Sequence, residues 1–229
     1  MVKIIKASLM ARKEIVSGTS EVTFDTTGQD FYFEAGQYVK IIISEMPHQD
    51  TKGNLRLFSV VSSPNDKKHI EIVFRDSKSA FKKSLRDMPL GSKVEIQGPY
   101  GLFLLPKDRK TSIVFVAGGV GIAPCLSMIR FVTEETLDYP MFLIYGNNSQ
   151  ESIAYGEELE RLNRENQNFS FVNHMGYIDI DCIKKSVKDL ESPIWYIVGP
   201  PAMVETTKKI LAELGVDASK IKFERFTGM

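Results

Sequence analysis

A small antiparallel β domain followed by a parallel α/β domain is the fold class that this 229-residue sequence predicts. From Lys3 to about Leu105 the chain is a succession of short, alternating, β-branched segments separated by turn residues. Strands at that spacing point to a barrel or a sandwich. Beyond the charged stretch LPKDRK the texture changes to apolar runs, each followed by an amphipathic helical segment. That alternation implies βαβ units on a parallel sheet, so the boundary is expected near residues 106 to 110.

Taken in order, the first half offers strands in VKIIKASLMA, EVTFDT, DFYFEAGQYVKIII, FSVVSS, HIEIVFR and KVEIQGP, interrupted by one helix, SAFKKSLRDM, at 79 to 88. The second half pairs SIVFVAGG with APCLSMIRFVTEE, MFLIYG with IAYGEELERLNREN, FSFVNHM with DCIKKSVKDL, and PIWYIVG with AMVETTKKILAELG. The uncharged stretch from Thr111 to Ile129 is long enough to raise a membrane span, but its glycines and proline around Gly118 to Pro124 fit a strand, a turn and a helix start better. The opening MVKIIKASLMARKEIV lacks the continuous apolar core of a secretory signal, and reads as the first strand of a mature cytoplasmic protein.

Charge and cysteine content narrow the function. Lysines and arginines (29) balance aspartates and glutamates (29), which argues against a nucleic-acid partner, whose phosphates are met by surplus cations. Cys125 and Cys182 are too few for an iron–sulfur cluster, a four-thiolate zinc site or a disulfide scaffold. If the protein moves electrons, a non-protein group must carry them. Neither cysteine shares a redox spacing with the other, and both read as packing residues. His48, His69 and His174 show no metal-ligand pattern, and Trp195 and Tyr196 begin a core strand.

The glycine turns carry more. Strand SIVFVA runs into Gly118-Gly119-Val120-Gly121-Ile122-Ala123-Pro124 and then a helix, where free amides and the helix dipole suit a pyrophosphate. Pro124 stands where the dinucleotide fingerprint has Gly or Ala; it suits a first helical turn but removes one phosphate donor. That fits a nucleotide that comes and goes. The alternative explanation of the glycines alone is a tight turn with close helix packing. Gly199-Pro200-Pro201-Ala202-Met203 and Gly146-Asn147-Asn148-Ser149 also follow strands, at the sheet edge where open α/β sheets bind ligands. In the first half, Arg56 and Phe58 share one face of a strand, with Leu57 and Ser59 on the other. Arg75 closes a later strand, and a helix with Ser79 as N-cap starts among Arg75, Lys78, Lys82 and Lys83, a ready anion site.

At this point a family resemblance is specific. FEAGQYV (Gly36 to Tyr38), RLFSVVSSP (Arg56 to Ser59), the SAFK helix start, Gly98-Pro99-Tyr100-Gly101, GGVGIAP (Gly119 to Pro124) and VGPPAM (Gly199 to Met203) stand in the order found in the ferredoxin-NADP reductase family. The chain resembles that family from about residue 3 to its terminal ERFTGM, and looks most like stand-alone flavin oxidoreductases with no attached iron–sulfur domain. The resemblance implies a six-stranded antiparallel β-barrel for FAD over residues 1–107, and a Rossmann-like parallel α/β domain for NAD(P) over 108–229. It implies an NAD(P)H oxidoreductase in which hydride reaches flavin N5 and electrons pass to a separate acceptor such as ferredoxin, flavodoxin or an oxygenase. No nucleic-acid or membrane partner is expected.

Residue roles follow from the same resemblance. Arg56 would pair with the flavin pyrophosphate, whose two oxygens suit a guanidinium fork, within the motif that includes Leu57. Phe58 would stack on the isoalloxazine or flank the ribityl chain, and Ser59 would hydrogen-bond near N5. Val73 and Arg75 would line the flavin and its phosphate, which the amides of Ser79, Ala80 and Phe81 would hold. Gly119, Val120, Gly121 and Pro124 would meet the nicotinamide dinucleotide, with Gly199, Pro200 and Met203 at the nicotinamide end. Where relatives place Cys before the last Gly-Pro there is Val198, and where they end in an aromatic cover for the flavin there is Phe226 or Met229. Glu224 reads as a solvated carboxylate, with a proton relay as the alternative. Asn147 opens the stretch after the second strand of the nucleotide domain, which has no cation, and Tyr177 stands where many relatives have Arg, so NADH is favoured over NADPH. Two rivals remain: a flavin reductase using free flavin as substrate, which Arg56, Arg75 and the SAFK start argue against, and a non-catalytic flavin- or nucleotide-binding module, which Val198 and Met229 motivate.

Overall fold

The computed structural model describes residues 2–226. Its first half is a six-stranded antiparallel sheet built from β1 (Lys3–Val16), β2 (Thr19–Asp25), β3 (Tyr38–Ile42), β4 (Leu55–Ser59), β5 (His69–Arg75) and β6 (Lys93–Tyr100) in the order β4-β3-β6-β1-β2-β5. The two end strands meet through the antiparallel bridge Val60–Ile72 and the bond from the Val61 amide to the Glu71 carbonyl, which curls the sheet onto itself. Period-two alternation turns Ile5, Ala7, Leu9, Val22, Phe24, Val39, Ile41, Ile70 and Ile72 inward. Each of these side chains other than Ala7 contributes about 1.5–3 kcal/mol relative to leaving it in water. Helix α1 (Ala80–Asp87) plugs this core with Phe81 and Leu85.

Two strands differ from the sequence expectation. DFYFEAGQYVKIII does not become one long strand, because Gly36 turns the chain at φ +96°, with Phe103 O only 2.0 Å from where a Cβ would stand. Strand order begins only at Tyr38. Likewise β4 ends at Ser59 instead of running through FSVVSS, while Arg56 lies inside the ladder, opposite Ile41, as its place on a strand with Phe58 requires.

The second half is a five-stranded parallel sheet: β7 (Ile113–Gly118), β8 (Met141–Asn147), β9 (Phe169–Met175), β10 (Ile194–Gly199) and β11 (Ile221–Arg225), in the order β11-β10-β7-β8-β9. Helices α2 (Ile122–Glu134) and α3 (Gly156–Glu165) cover one face, α4 (Ile180–Ser186) and α5 (Pro201–Glu213) the other. Residues of β7 serve both: Phe115 and Ala117 pack with α2, Val114 and Val116 with α5. The fifth strand was not expected, since IKFER is a short polar segment whose pairing comes only from the neighbouring Trp195–Gly199. Because β8 and β10 lie on opposite sides of β7, the strand order reverses there, and a crevice opens at the carboxyl ends of β7 and β10.

The halves share a core. Val61, Val73 and Phe103 of the barrel pack in one cluster with Leu126, Met128 and Ile129 of α2. Within it Arg130 donates to Val61 O at 2.8 Å and to Glu71 Oε2 at 3.1 Å, and forks onto both oxygens of Glu158. A guanidinium held on every side fixes the two halves to one another.

Candidate active site

Between barrel and sheet lies a cavity of about 1050 Å³. Its barrel wall is β4 with Val73 to Arg75 of β5 and Lys82 of α1; its other wall is the glycine turn after β7, the ends of β8 and β9, and Pro200, Met203 and Glu224 to Phe226. Strand alternation sets the first wall: Arg56 and Phe58 turn into the barrel while Leu57 faces out of it, half exposed, and all three border the cavity. Phe58 packs its ring against Phe74 and Phe81, each at 5.9 Å, and still borders the cavity. Ser59 is buried beside it.

The cations of that wall converge. Arg56, only 5% exposed, sits over the Phe81 ring and donates through Nη1 to the carbonyls of Lys52, Gly53 and Leu55. Its Nε and Nη2 have no hydrogen-bond partner, nor does the buried Oγ of Ser79. Buried donors left unpaired are costly, and a guanidinium fork with free nitrogens beside a helix N-terminus has the geometry that accepts phosphate oxygens. Lys52, Arg75 and Lys82 border the same wall, and burial lowers the Lys82 pKa. This donor set fits the phosphates of a flavin dinucleotide.

Ser79 departs from expectation. It occupies the N-cap position of α1, but its side chain makes no capping bond; the Ala80 amide instead donates to Asp50 Oδ2 at 3.0 Å. Nor do Ser79, Ala80 and Phe81 border the cavity: Ala80 and Phe81 are buried and Ser79 is half-buried.

On the opposite wall the glycines answer to packing. A Cβ at Gly118 would stand 2.4 Å from Met203 Sδ, and one at Gly121 would stand 2.7 Å from Val198 O and 2.8 Å from Gly199 Cα. Gly119, in contrast, is set by its backbone, at φ +53°, with its carbonyl held by the Tyr145 hydroxyl at 3.0 Å. The turn after β7 is thus pressed onto the turn after β10, leaving Gly119, Val120 and Gly121 along the cavity. Pro124 and Gly199 lie behind this surface and do not border it. Val198 is also buried, with its side chain in the core shared with α2, so the place where relatives carry Cys does not border the cavity here.

Asn147 ends β8 as a buried side chain with both amide atoms unpaired, bordering the cavity. Among the described residues the cations on this wall reduce to Arg225, which is paired with Glu205. Tyr177, almost wholly exposed, closes the far end with Gly176 and Ile178.

Glu224 corrects the solvated reading. It is partly buried on the wall, 3.8 Å from the Cβ position of Gly101, with no ion-pair partner among the described residues. Burial raises its pKa to about 7. Phe226 borders the cavity, its amide donating to Gly199 O at 2.8 Å. Met229 lies outside the described residues. Lys82 of the cation cluster and Tyr38 of the FEAGQYV motif border the cavity as well; Lys52, Phe74 and Thr206 also do so and escaped the sequence reading, because nothing in their local pattern separates them from ordinary surface or core positions.

An oxidoreductase FAD-binding domain matches residues 6–104, and an oxidoreductase NAD-binding domain matches residues 115–209. The chain belongs to the ferredoxin-NADP reductase family. It is 26% identical over 241 residues to ferredoxin-NADP reductase B of Sorangium cellulosum, covering 96% of this chain and 97% of that one. It is 26% identical to the reductase component of propane 2-monooxygenase from Rhodococcus jostii over 86% of this chain and 56% of the relative, and 28% identical to the toluate 1,2-dioxygenase electron transfer component of Pseudomonas putida over 85% and 59%. The chain therefore spans little more than half the length of these oxygenase-linked relatives. Among solved structures it superposes on an Amycolatopsis cytochrome P450 reductase with TM-score 0.86 at 23% identity, covering 98% of this chain and 70% of that one. The ferredoxin-NADP+ reductase of Plasmodium falciparum gives 0.81 at 19%, covering 97% and 96%. The two halves of the chain are thus an FAD-binding domain and an NAD-binding domain of the oxidoreductase kind. No helix among the described residues is long and apolar enough to cross a membrane.

Proposed function

We propose that this reductase-family chain is an FAD-dependent NAD(P)H oxidoreductase that hands electrons to a separate acceptor protein. The observation that carries the reading is one cavity bordered on one side by cations, with unpaired Arg56 nitrogens, and on the other by the switch point of a parallel sheet. When bound, FAD supplies the two-electron acceptor chemistry that no side chain here offers. The chain's own work is positional. Arg56, Arg75 and Lys82 hold the phosphates, Phe58 and Val73 supply an apolar flank, and Ser59 directs its hydroxyl toward the reacting end of the flavin. Gly119 to Gly121, Pro200 and Met203 seat the dinucleotide at the carboxyl ends of β7 and β10. NADH is the preferred donor, because the only cation bordering that wall among the described residues is engaged by Glu205. The two unpaired, buried cysteines accord with a cytoplasmic place. An acceptor such as a ferredoxin or an oxygenase component accords with the named relatives.

Copurification separates this reading from a flavin reductase that uses free flavin. The protein is expected to emerge yellow with about one FAD per chain; a colourless protein that takes up flavin only weakly would overturn it. Within the site, Ser59→Ala is expected to slow flavin reduction about tenfold while changing FAD affinity less than about threefold, as for a hydrogen bond used in the reaction more than in binding. Equal reduction rates would remove Ser59 from the chemistry.

Glu224 is a proton-holding group near neutral pH at the mouth of the nicotinamide wall. A carboxyl with a pKa of about 7 in the fold and near 4.5 in the unfolded chain binds its proton more tightly when folded. Its contribution to stability is present below pH 4.5 and is lost as the pH rises through 7. Glu224→Gln should therefore match the parent's melting temperature at low pH and exceed it above pH 7. Parallel pH curves for the two proteins would contradict the buried carboxyl.

A further inference from the structure

The loop from residue 43 to 54 between β3 and β4 is fastened at both ends of α1. At the last turn, His48 Nε2 lies 2.6 Å from Asp87 Oδ2, while the His48 amide donates to Ser84 Oγ at 3.1 Å and that hydroxyl donates to the His48 carbonyl at 3.3 Å. At the first turn the fastening is a carboxylate. Asp50 Oδ2 accepts from the Ala80 amide, Oδ1 accepts from the Lys52 amide at 2.8 Å, and Oδ1 stands 3.7 Å from Arg56 Nη2. Arg56, 5% exposed, reaches this spot with Nη2, and neither Nη2 nor Nε has a hydrogen-bond partner.

An anion bonded to the first helical amide and facing a buried guanidinium occupies donors of the kind a phosphate uses, and with Asp50 on its amide Ala80 does not border the cavity, whereas Arg56 does. The Ala80 amide has one hydrogen and cannot serve both at full strength. Two anions at that point would also repel each other. Capping alone would not need Asp50, because Ser79 already stands at the N-cap with an unpaired hydroxyl.

We propose that Asp50 is a built-in competitor for the flavin phosphate: the 43–54 loop delivers its carboxylate to the start of α1 and to Arg56, so FAD enters by displacing Asp50 and leaves as Asp50 returns. The His48 fastening keeps the carboxylate at high local concentration, which makes an intramolecular rival effective without high affinity. The inference rests on the reading of residues 6–104 as an FAD site. It gives the chain an exchangeable flavin, whose hold is set by a residue that donates nothing to it.

The test follows FAD release from diluted holoprotein by the rise of flavin fluorescence, with equilibrium titration of the flavin-stripped protein alongside. Asp50→Asn keeps an oxygen that can accept from Ala80 but removes the charge. It is expected to release FAD about three- to tenfold more slowly than the parent and to bind it correspondingly more tightly. His48→Ala, which loosens the far fastening, should shift release in the same direction by a smaller factor. A purely structural cap gives the opposite pattern, with Asp50→Asn releasing FAD at the parental rate or faster, and that result overturns the inference. Parental protein that holds no FAD at all overturns the flavin reading and the inference together, whereas parental protein with FAD and unchanged release in Asp50→Asn overturns the inference alone.

Discussion

Arg56→Ala is expected to weaken FAD binding about a hundredfold, with most of the purified protein losing its flavin on dilution. Truncating one partner of a buried charge pair costs about 2–5 kcal/mol, and every 1.4 kcal/mol is a factor of about ten. The guanidinium has two tasks, since Nη1 ties down the carbonyls of Lys52, Gly53 and Leu55 while Nε and Nη2 remain for the ligand. Arg56→Lys separates them. It keeps the charge and loses the planar fork, so its affinity should fall by about tenfold, between parent and Ala variant. Titration of flavin-stripped protein with FAD, followed by quenching of flavin fluorescence, measures all three. Parental affinity in Arg56→Ala would remove the phosphate role.

Gly121→Ala should have the second large effect, on the opposite wall. Its Cβ would press on the backbone of Val198 and Gly199, atoms that cannot rotate away, so the turns after β7 and β10 must part. Overpacking of this kind costs about 1–3 kcal/mol, and a displacement of about 1 Å at a reacting site can cost about a hundredfold in rate. The expected result is a yellow protein with normal FAD content, a melting temperature lower by about 5 °C, and reduction by NADH slowed about a hundredfold. Gly119→Ala is the contrast. Its Cβ would meet nothing within 4 Å, and only the positive φ is strained, so it should lose about 1 kcal/mol of stability and little more. Equal losses in the two variants would contradict the account of which glycine does what.

Much of this site was legible in the sequence, for a physical reason that differs between its halves. Arg56, Phe58, Ser59 and the glycine turn lie in contiguous motifs whose alternation and turn chemistry are local, and the structure sets them along one cavity. The role of Gly121 could not be read locally, because it depends on a strand that arrives 77 residues later, at Val198. Ser79 shows the same limit in reverse. Its pattern is that of an N-cap, yet Asp50, 30 residues earlier in the chain, takes the Ala80 amide. Glu224 was misread because a charged residue near the end of the chain carries no sign of its burial; β11 draws it beside Val198 and into the wall. Strand β11 itself was missed, since a five-residue polar segment becomes a strand only through the edge of β10 that it covers.

The central claim is that nicotinamide and flavin meet in the cavity between the two halves so that hydride passes directly. Anaerobic mixing of the holoprotein with NADH and, separately, with NADPH tests it most directly, through the flavin absorbance near 450 nm. The expected result is rapid bleaching by NADH, with NADPH slower at equal concentration. A holoprotein whose flavin neither nucleotide bleaches would contradict the account and leave a flavin-binding module without reductase chemistry.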